Sequence, residues 1–255
     1  MRDMKVLSPS MFVAIFGHLR PHPWIEFETL SEDAYSLFVS RSELMGWSPR
    51  PSQADSSGLW GMNDASFDHS SEGHPPRIAW FQVGIDERAF EGASLPFHPL
   101  LACARDAIRR VGDLELEAAQ FLVPLQDATA RAAISSVPNW FNACDPDSHV
   151  GMRITLDSGD DAILPRVASE LAELASGLAR KPFAVALASA DAAHVQLLPE
   201  VTGGFWLGGS RHPVTFDAIA PDWSPDSIAW TANLLAESCR RVGVRTSILI
   251  NIGKR

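Results

Sequence analysis

Cysteine is scarce in this chain. Cys103, Cys144 and Cys239 are the only three, and no two of them form a C-x-x-C pair. Any disulfide scheme leaves one thiol over, which argues against a disulfide framework and makes a reducing cytoplasm the simplest expected compartment. Cys103 and Cys239 fall within helical patterns, where cysteine behaves as a small buried hydrophobe. A basic excess is lacking as well. Lys and Arg total 21 against 31 Asp and Glu, a net charge of −10 with a pI near 5.2. Nucleic acid and anionic membranes both call for a basic footprint, so neither is an expected partner. The few basic residues are nearly all arginine, which reads as compositional bias rather than a phosphate-binding task.

Long apolar runs are missing too. No stretch of 18 apolar residues occurs, and Met1 to Ser10 has no basic region ahead of an apolar core. Neither a membrane span nor a secretory leader is therefore expected. The chain also lacks the phosphate-loop, dinucleotide, zinc-protease and nucleophile-elbow motifs, so no cofactor is expected. Tyrosine is nearly absent beside eight tryptophans. Most of those rings read as core or edge packing, with an aromatic-lined pocket as the functional alternative.

What is present is the composition of a protein with a proper core. Hydrophobic residues make up 46% and charged residues 20% of 255 positions, enough for one large domain or two of ordinary size. One stretch occurs twice. Arg109-Arg110-Val111-Gly112 and Arg240-Arg241-Val242-Gly243 each close an apolar-striped segment and lead into a β-rich run. Shifted by 131 positions, Leu101, Ala104, Ile108 and Val111 fall on Ala232, Leu235, Cys239 and Val242, all on one helical stripe. Arginines followed by glycine mark a helix C-terminus in both places.

Met11 to His18, Arg77 to Ile85 and Leu114 to Val123 read as strands, with helices after Ser31 and from Pro99 to Val111. Residues 49–76, rich in Ser, Pro, Gly and Asp, read as a long loop holding one short strand at Leu59 to Met62. Ala128 to Ala133 reads as a short helix. In the second half, strands are expected at His149 to Leu156, Phe183 to Ser189, Val214 to Ile219 and Val244 to Ile252. A helix capped by Asp160 and Asp161 carries the stripe Leu164, Val167, Leu171, Leu174, Leu178, and Ser224-Pro225-Asp226 starts another. The glycine-rich Gly203 to Gly209 reads as the approach to a hairpin, with a lid closing Trp206 over a ligand as its alternative.

The order β-α-β-β-α-β predicts an α+β fold of tandem ferredoxin-like (βαββαβ) halves, residues 1–137 and 138–255. Two antiparallel sheets with helices on their outer faces would then press their open faces together around a cleft. Such a cleft suits a small organic molecule, with Trp80, Gln82, Arg153, Trp206 and Arg245 as ligand-binding candidates. Solvated strand ends or ion pairs between the halves account for the same residues without a ligand. His149, Glu115 and Glu117 are the catalytic candidates, for cofactor-independent acid–base chemistry: a carboxylate beside a histidine orients it as a general base. Cys144, Asp145 and Asp147 lie beside His149, although a turn rich in Asp explains them equally well. Asp64, Asp68, His69 and His74 supply metal-ligand types, but loop composition alone produces such a set. The competing reading is a non-catalytic, acidic interaction protein of the immunity or inhibitor type that binds a basic protein partner.

Overall fold

Strands that are apolar on both sides must lie inside a sheet, and that requirement sets the centre of this molecule. The computed structural model describes residues 9–25, 33–49, 58–68, 73–85, 95–126, 139–198 and 210–255. Its elements run β1 (Ser10–Pro21), α1 (Ala34–Leu44), β2 (Trp60–Phe67), β3 (Arg77–Ile85), α2 (Phe97–Ile108), β4 (Gly112–Pro124), β5 (Val150–Asp157), α3 (Ile163–Leu178), β6 (Ala184–Leu187), β7 (Val214–Ala220), α4 (Pro225–Arg241) and β8 (Ser247–Lys254). Met11 to Phe16 of β1 and Ala118 to Pro124 of β4 are buried on both faces. Both strands are internal.

All eight strands form one antiparallel sheet in the order β2-β3-β1-β4-β8-β5-β7-β6. This corrects the expectation of tandem ferredoxin-like halves with two packed sheets. Pairing of β4 with β8, from Ala118↔Gly253 to Pro124↔Ser247, makes the sheet continuous. The postulated cleft between two facing sheets therefore does not exist. Alternation shows which side chains are covered, but not whether two strand sets meet edge to edge or face to face. The chain is α+β, with four helices on the sheet among the described residues.

All four helices contribute to one core, built on Met11, Val13, Ile15, Phe81, Phe121, Ile154, Phe216 and Ile250 from the same sheet face. The opposite face carries a smaller cluster of Phe12, Ala14, Phe16, Ala118, Leu122 and Leu249, joined by Leu197 and, among the described residues, by no helix residue. On the helical side, α2 packs beside α4, and α1 and α3 flank that pair.

Several local expectations change with the coordinates. Asp33 caps α1, its carboxylate accepting from Ser36 N at 2.8 Å; Ser31 lies outside the described residues. Residues 49–76 hold a full eight-residue strand, β2, because its residues 64–67 still pair with β3 despite their polarity. Ala162, not Asp160 or Asp161, precedes the first turn of α3, and it makes no side-chain cap. Ser224 caps α4 through its hydroxyl, with Pro225 opening the helix as the sequence suggests. The two Arg-Arg-Val-Gly segments differ at their glycines. Gly243 has φ +91°, whereas Gly112 is the first residue of β4, packed against Arg20 O. The helix expected at 128–133, the 137/138 boundary and the glycine-rich 203–209 stretch lie outside the described residues.

A candidate ligand site on the helix-free face

One row of residues crosses the helix-free face in register. Trp80 pairs with Ala14, Ala14 with Gln120, Gln120 with Asn251, Asn251 with Thr155, and Thr155 with Thr215. From Gln120 onward the row is polar and buried. Buried polar groups need partners, and most of these find them in each other or in residues 193–198, which lie over this face. Gln120 Nε2 donates to Asn251 Oδ1 at 2.9 Å, and Asn251 Nδ2 donates to Val195 O at 3.1 Å. Val195 N donates to Thr155 Oγ1 at 2.8 Å, while His194 Nδ1 lies 2.7 Å from Thr215 Oγ1. Leu197 then fills the apolar cluster beside them. The segment acts as a strap, fixed at its backbone by the sheet's side chains.

Between this strap and the ends of β5 and β8 lies a depression of about 570 Å³. Arg153, Lys254 and Arg255 line it, together with His74, Glu117 and Val195 to Leu197. Arg153 on β5 pairs in register with Asp217 on β7, Nε to Oδ1 at 2.7 Å, and its Nη1 reaches Ala193 O at 3.3 Å. Arg255 reaches the same Asp217 oxygen at 3.2 Å. One carboxylate thus serves two guanidinium groups. Lys254 is exposed and has no partner among the described residues.

Glu117 reaches the depression through a bulge. The β1/β4 register slips between Phe16 and Gly17, so Phe16 opposes Ala118 while Gly17 opposes Leu116. Gly17 has φ +147°, a conformation that a side chain rarely adopts, and a Cβ there would lie 2.0 Å from Glu115 O. The bulge sets His18 Nε2 3.0 Å from Glu117 Oε1. A histidine held by a carboxylate can pass a proton.

The other residues proposed from sequence are scattered. Glu115 is exposed and lines a neighbouring groove with Arg109 and Trp223 rather than the depression. His149 is exposed just before β5, and no hydrogen bond or ion pair among the described residues joins it to Glu115 or Glu117. Trp80 and Gln82 share the helix-free face of β3, but Trp80 stacks on Phe12 at 5.7 Å and neither lines the depression. Arg245 lies between α4 and β8, where its Nη1 donates to Arg240 O at 2.7 Å and so closes the end of α4. Trp206 lies outside the described residues. Of the eight candidates, Arg153 and Glu117 meet in one place.

The remaining clusters, where they are described, find partners within the fold. Cys144 Sγ points to Asp222 at 3.9 Å; burial and that carboxylate push its thiol up, away from a reactive thiolate. Asp145 accepts from Asp147 N at 3.0 Å, an ordinary Asx turn. Asp68 is paired with Arg77 at 2.6 Å, and His69 lies outside the described residues. Burial lifts the Cys103 and Cys239 thiols to about 12, in keeping with their packing role. Sequence reasoning missed His18, Asp217, Lys254 and Arg255, and weighed His74 only as a metal-ligand type. Lys254 and Arg255 follow the last expected strand after Gly253, so extending it by three residues would have found them. No helix among the described residues is long and apolar enough to cross a membrane. The chain matches no known protein family and no protein of described function.

Proposed function

We propose that this protein binds a small organic acid in the strap-walled depression. The observation that carries the reading is the convergence of Arg153, Lys254 and Arg255 on a space of about 570 Å³, with Asp217 shared between the two arginines. Arg153 is held by its carboxylate and by Ala193 O, so its fork is oriented before a ligand arrives. The volume lies in the range of small-molecule sites, and the strap supplies Val195 and Leu197 as an apolar wall. His18 and Glu117, 3.0 Å apart, give the same place a group able to exchange a proton with the ligand. In this reading His18 takes the role first assigned to His149, while Glu117, of the two glutamates first named, keeps its own. A cytoplasmic setting belongs to the proposal, supported by three free thiols. The competing reading, a partner for a basic protein, keeps the net charge of −10 as its support.

A thermal-shift and calorimetric screen tests the proposal with small mono- and dicarboxylic acids, each beside its neutral amide. Acids are expected to raise the melting temperature and amides to leave it unchanged, because only a ligand that prefers the native state stabilises it. Lys254→Gln and Arg153→Met should each weaken the response by about tenfold in affinity. Equal responses to acids and amides, or acid binding that survives both substitutions, would refute the site.

A further inference from the structure

The closing arginines of the two central helices are treated differently, and the contrast points to a second site. At the end of α4, Arg240 and Arg241 are both engaged by Glu237, at 2.8 and 2.5 Å. Their charge is answered within the helix. At the end of α2 the residue in the corresponding place is Asp106, and it faces elsewhere. It accepts from Arg41 of α1 at 2.7 Å and from its neighbour Arg105 at 2.9 Å. The exposed guanidinium groups of Arg109 and Arg110 have no partner among the described residues. Attraction to the carbonyl end of α2 would explain one cation in water. It does not explain why these two flank an open groove.

That groove, about 630 Å³, runs between α1 and α2. Its walls are Arg41, Arg109 and Arg110, while Leu37, Leu44 and Ala107 supply apolar surface. Leu44 is 64% exposed, an apolar side chain left in water at the groove's edge. With Asp106 as the one lining carboxylate among the described residues, the groove is net cationic in a chain of net charge −10. Cationic walls on apolar surface complement an anionic head on an apolar body. We propose that the α1/α2 groove binds a small amphiphilic carboxylate, with Arg109 and Arg110 taking the head group and Leu37 and Leu44 covering the chain. The site is independent of the depression on the opposite sheet face.

Decanoate, kept below its micellar concentration, is the probe, titrated calorimetrically into the full-length protein. Decanol reports the chain without the charge, and inorganic phosphate reports the charge without the chain. Saturable binding of decanoate is expected, weaker for both controls. It should fall by at least about tenfold in Arg109→Gln/Arg110→Gln and in Leu44→Gln, and should be unchanged in Arg153→Met. These three changed side chains of the groove are surface positions, and matching circular dichroism and thermal midpoints verify that the variants fold. Failure of decanoate to bind the wild-type protein overturns the proposal. So does a loss smaller than tenfold in either groove variant, or phosphate binding as tightly as decanoate, which would mark a bare anion site. Loss of decanoate binding in Arg153→Met would move the ligand to the other face and overturn it equally.

Discussion

Thr155 shows how one hydroxyl can hold three segments. Its Oγ1 accepts from Val195 N at 2.8 Å and lies 3.1 Å from Thr215 Oγ1, which in turn meets His194. Thr155→Val keeps the shape but leaves the Val195 N–H without its acceptor. The expected loss is about 1–3 kcal/mol of unfolding free energy, the cost of an unsatisfied buried donor, read from urea unfolding. Faster amide exchange at Val195 should accompany it, and unchanged exchange would show that the bond to Thr155 does not hold the strap. Gly17 is the second residue of this kind. Gly17→Ala adds a Cβ against Glu115 O in a conformation that disfavours it, so a loss of about 3 kcal/mol is expected from the same measurement. Arg153 was legible because strict alternation along β5 puts it opposite Met152 and Ile154. His18 was not, since the bulge at Gly17 breaks the count of two that an alternation argument depends on. Arg245 was misplaced for a related reason: the strand begins at Ser247, so counting from Val244 gave a loop residue a sheet face.

Among the elements, α4 is unusual in being buried all round, from Ser227 to Cys239 without a break. It lies between α2 and α3 on the sheet, so its polar residues cannot use water. Thr231 and Ser238 return their hydroxyls to the carbonyls of Ser227 and Leu234, each at 2.8 Å, and Glu237 takes its two arginines. Helix α3 follows the ordinary pattern, with Leu164, Leu171 and Ala175 buried and an outer face in water. Leu235→Ala in α4 should therefore cost about 3 kcal/mol, and Leu174→Ala in the half-buried row of α3 about 1 kcal/mol. Similar costs at the two positions in chemical denaturation would contradict the central placement of α4. The stripe of α3 and the Ser-Pro start of α4 could be read directly, because an amphipathic period and a cap are local signals. Strand β2 could not be seen beyond Met62. Asn63, Asp64 and Ser66 look like loop residues, and only pairing with β3 makes that stretch a strand.

For the whole molecule, the four helices and most strands among the described residues could be read from the sequence, but their assembly into one sheet could not. The decision between one sheet and two rests on β4 meeting β8, and the apolar residues of both strands satisfy either arrangement. Charge across the assembled fold leads to a pH dependence with a definite sign. Burial would raise the Glu237 carboxyl, but hydrogen bonds from Arg240 and Arg241 outweigh it and hold it below the ordinary 4.5. Asp106 is likewise lowered below 3.8: burial opposes the shift, and hydrogen bonds from Arg105 and Arg41 prevail. His98, beside Asp226 at 3.8 Å, is lowered from 6.5, chiefly because burial disfavours its charged form. All three have folded values below their unfolded ones, so the unfolded chain binds protons first as pH falls. Their stabilising contribution is complete above pH 6.5, begins to fade below it through His98, and falls further below pH 4.5 as the carboxylates protonate. Urea midpoints measured from pH 8 to pH 3 should trace two descending limbs. His98→Gln should remove the upper limb and leave the lower. Glu237→Gln should lower stability at pH 7 by about 1–2 kcal/mol, since both arginines lose a charged acceptor, and should make the lower limb shallower. An acid limb of wild-type steepness in Glu237→Gln would mean that the arginine clamp on α4 contributes nothing to the acid response, and that the exposed carboxylates produce it instead.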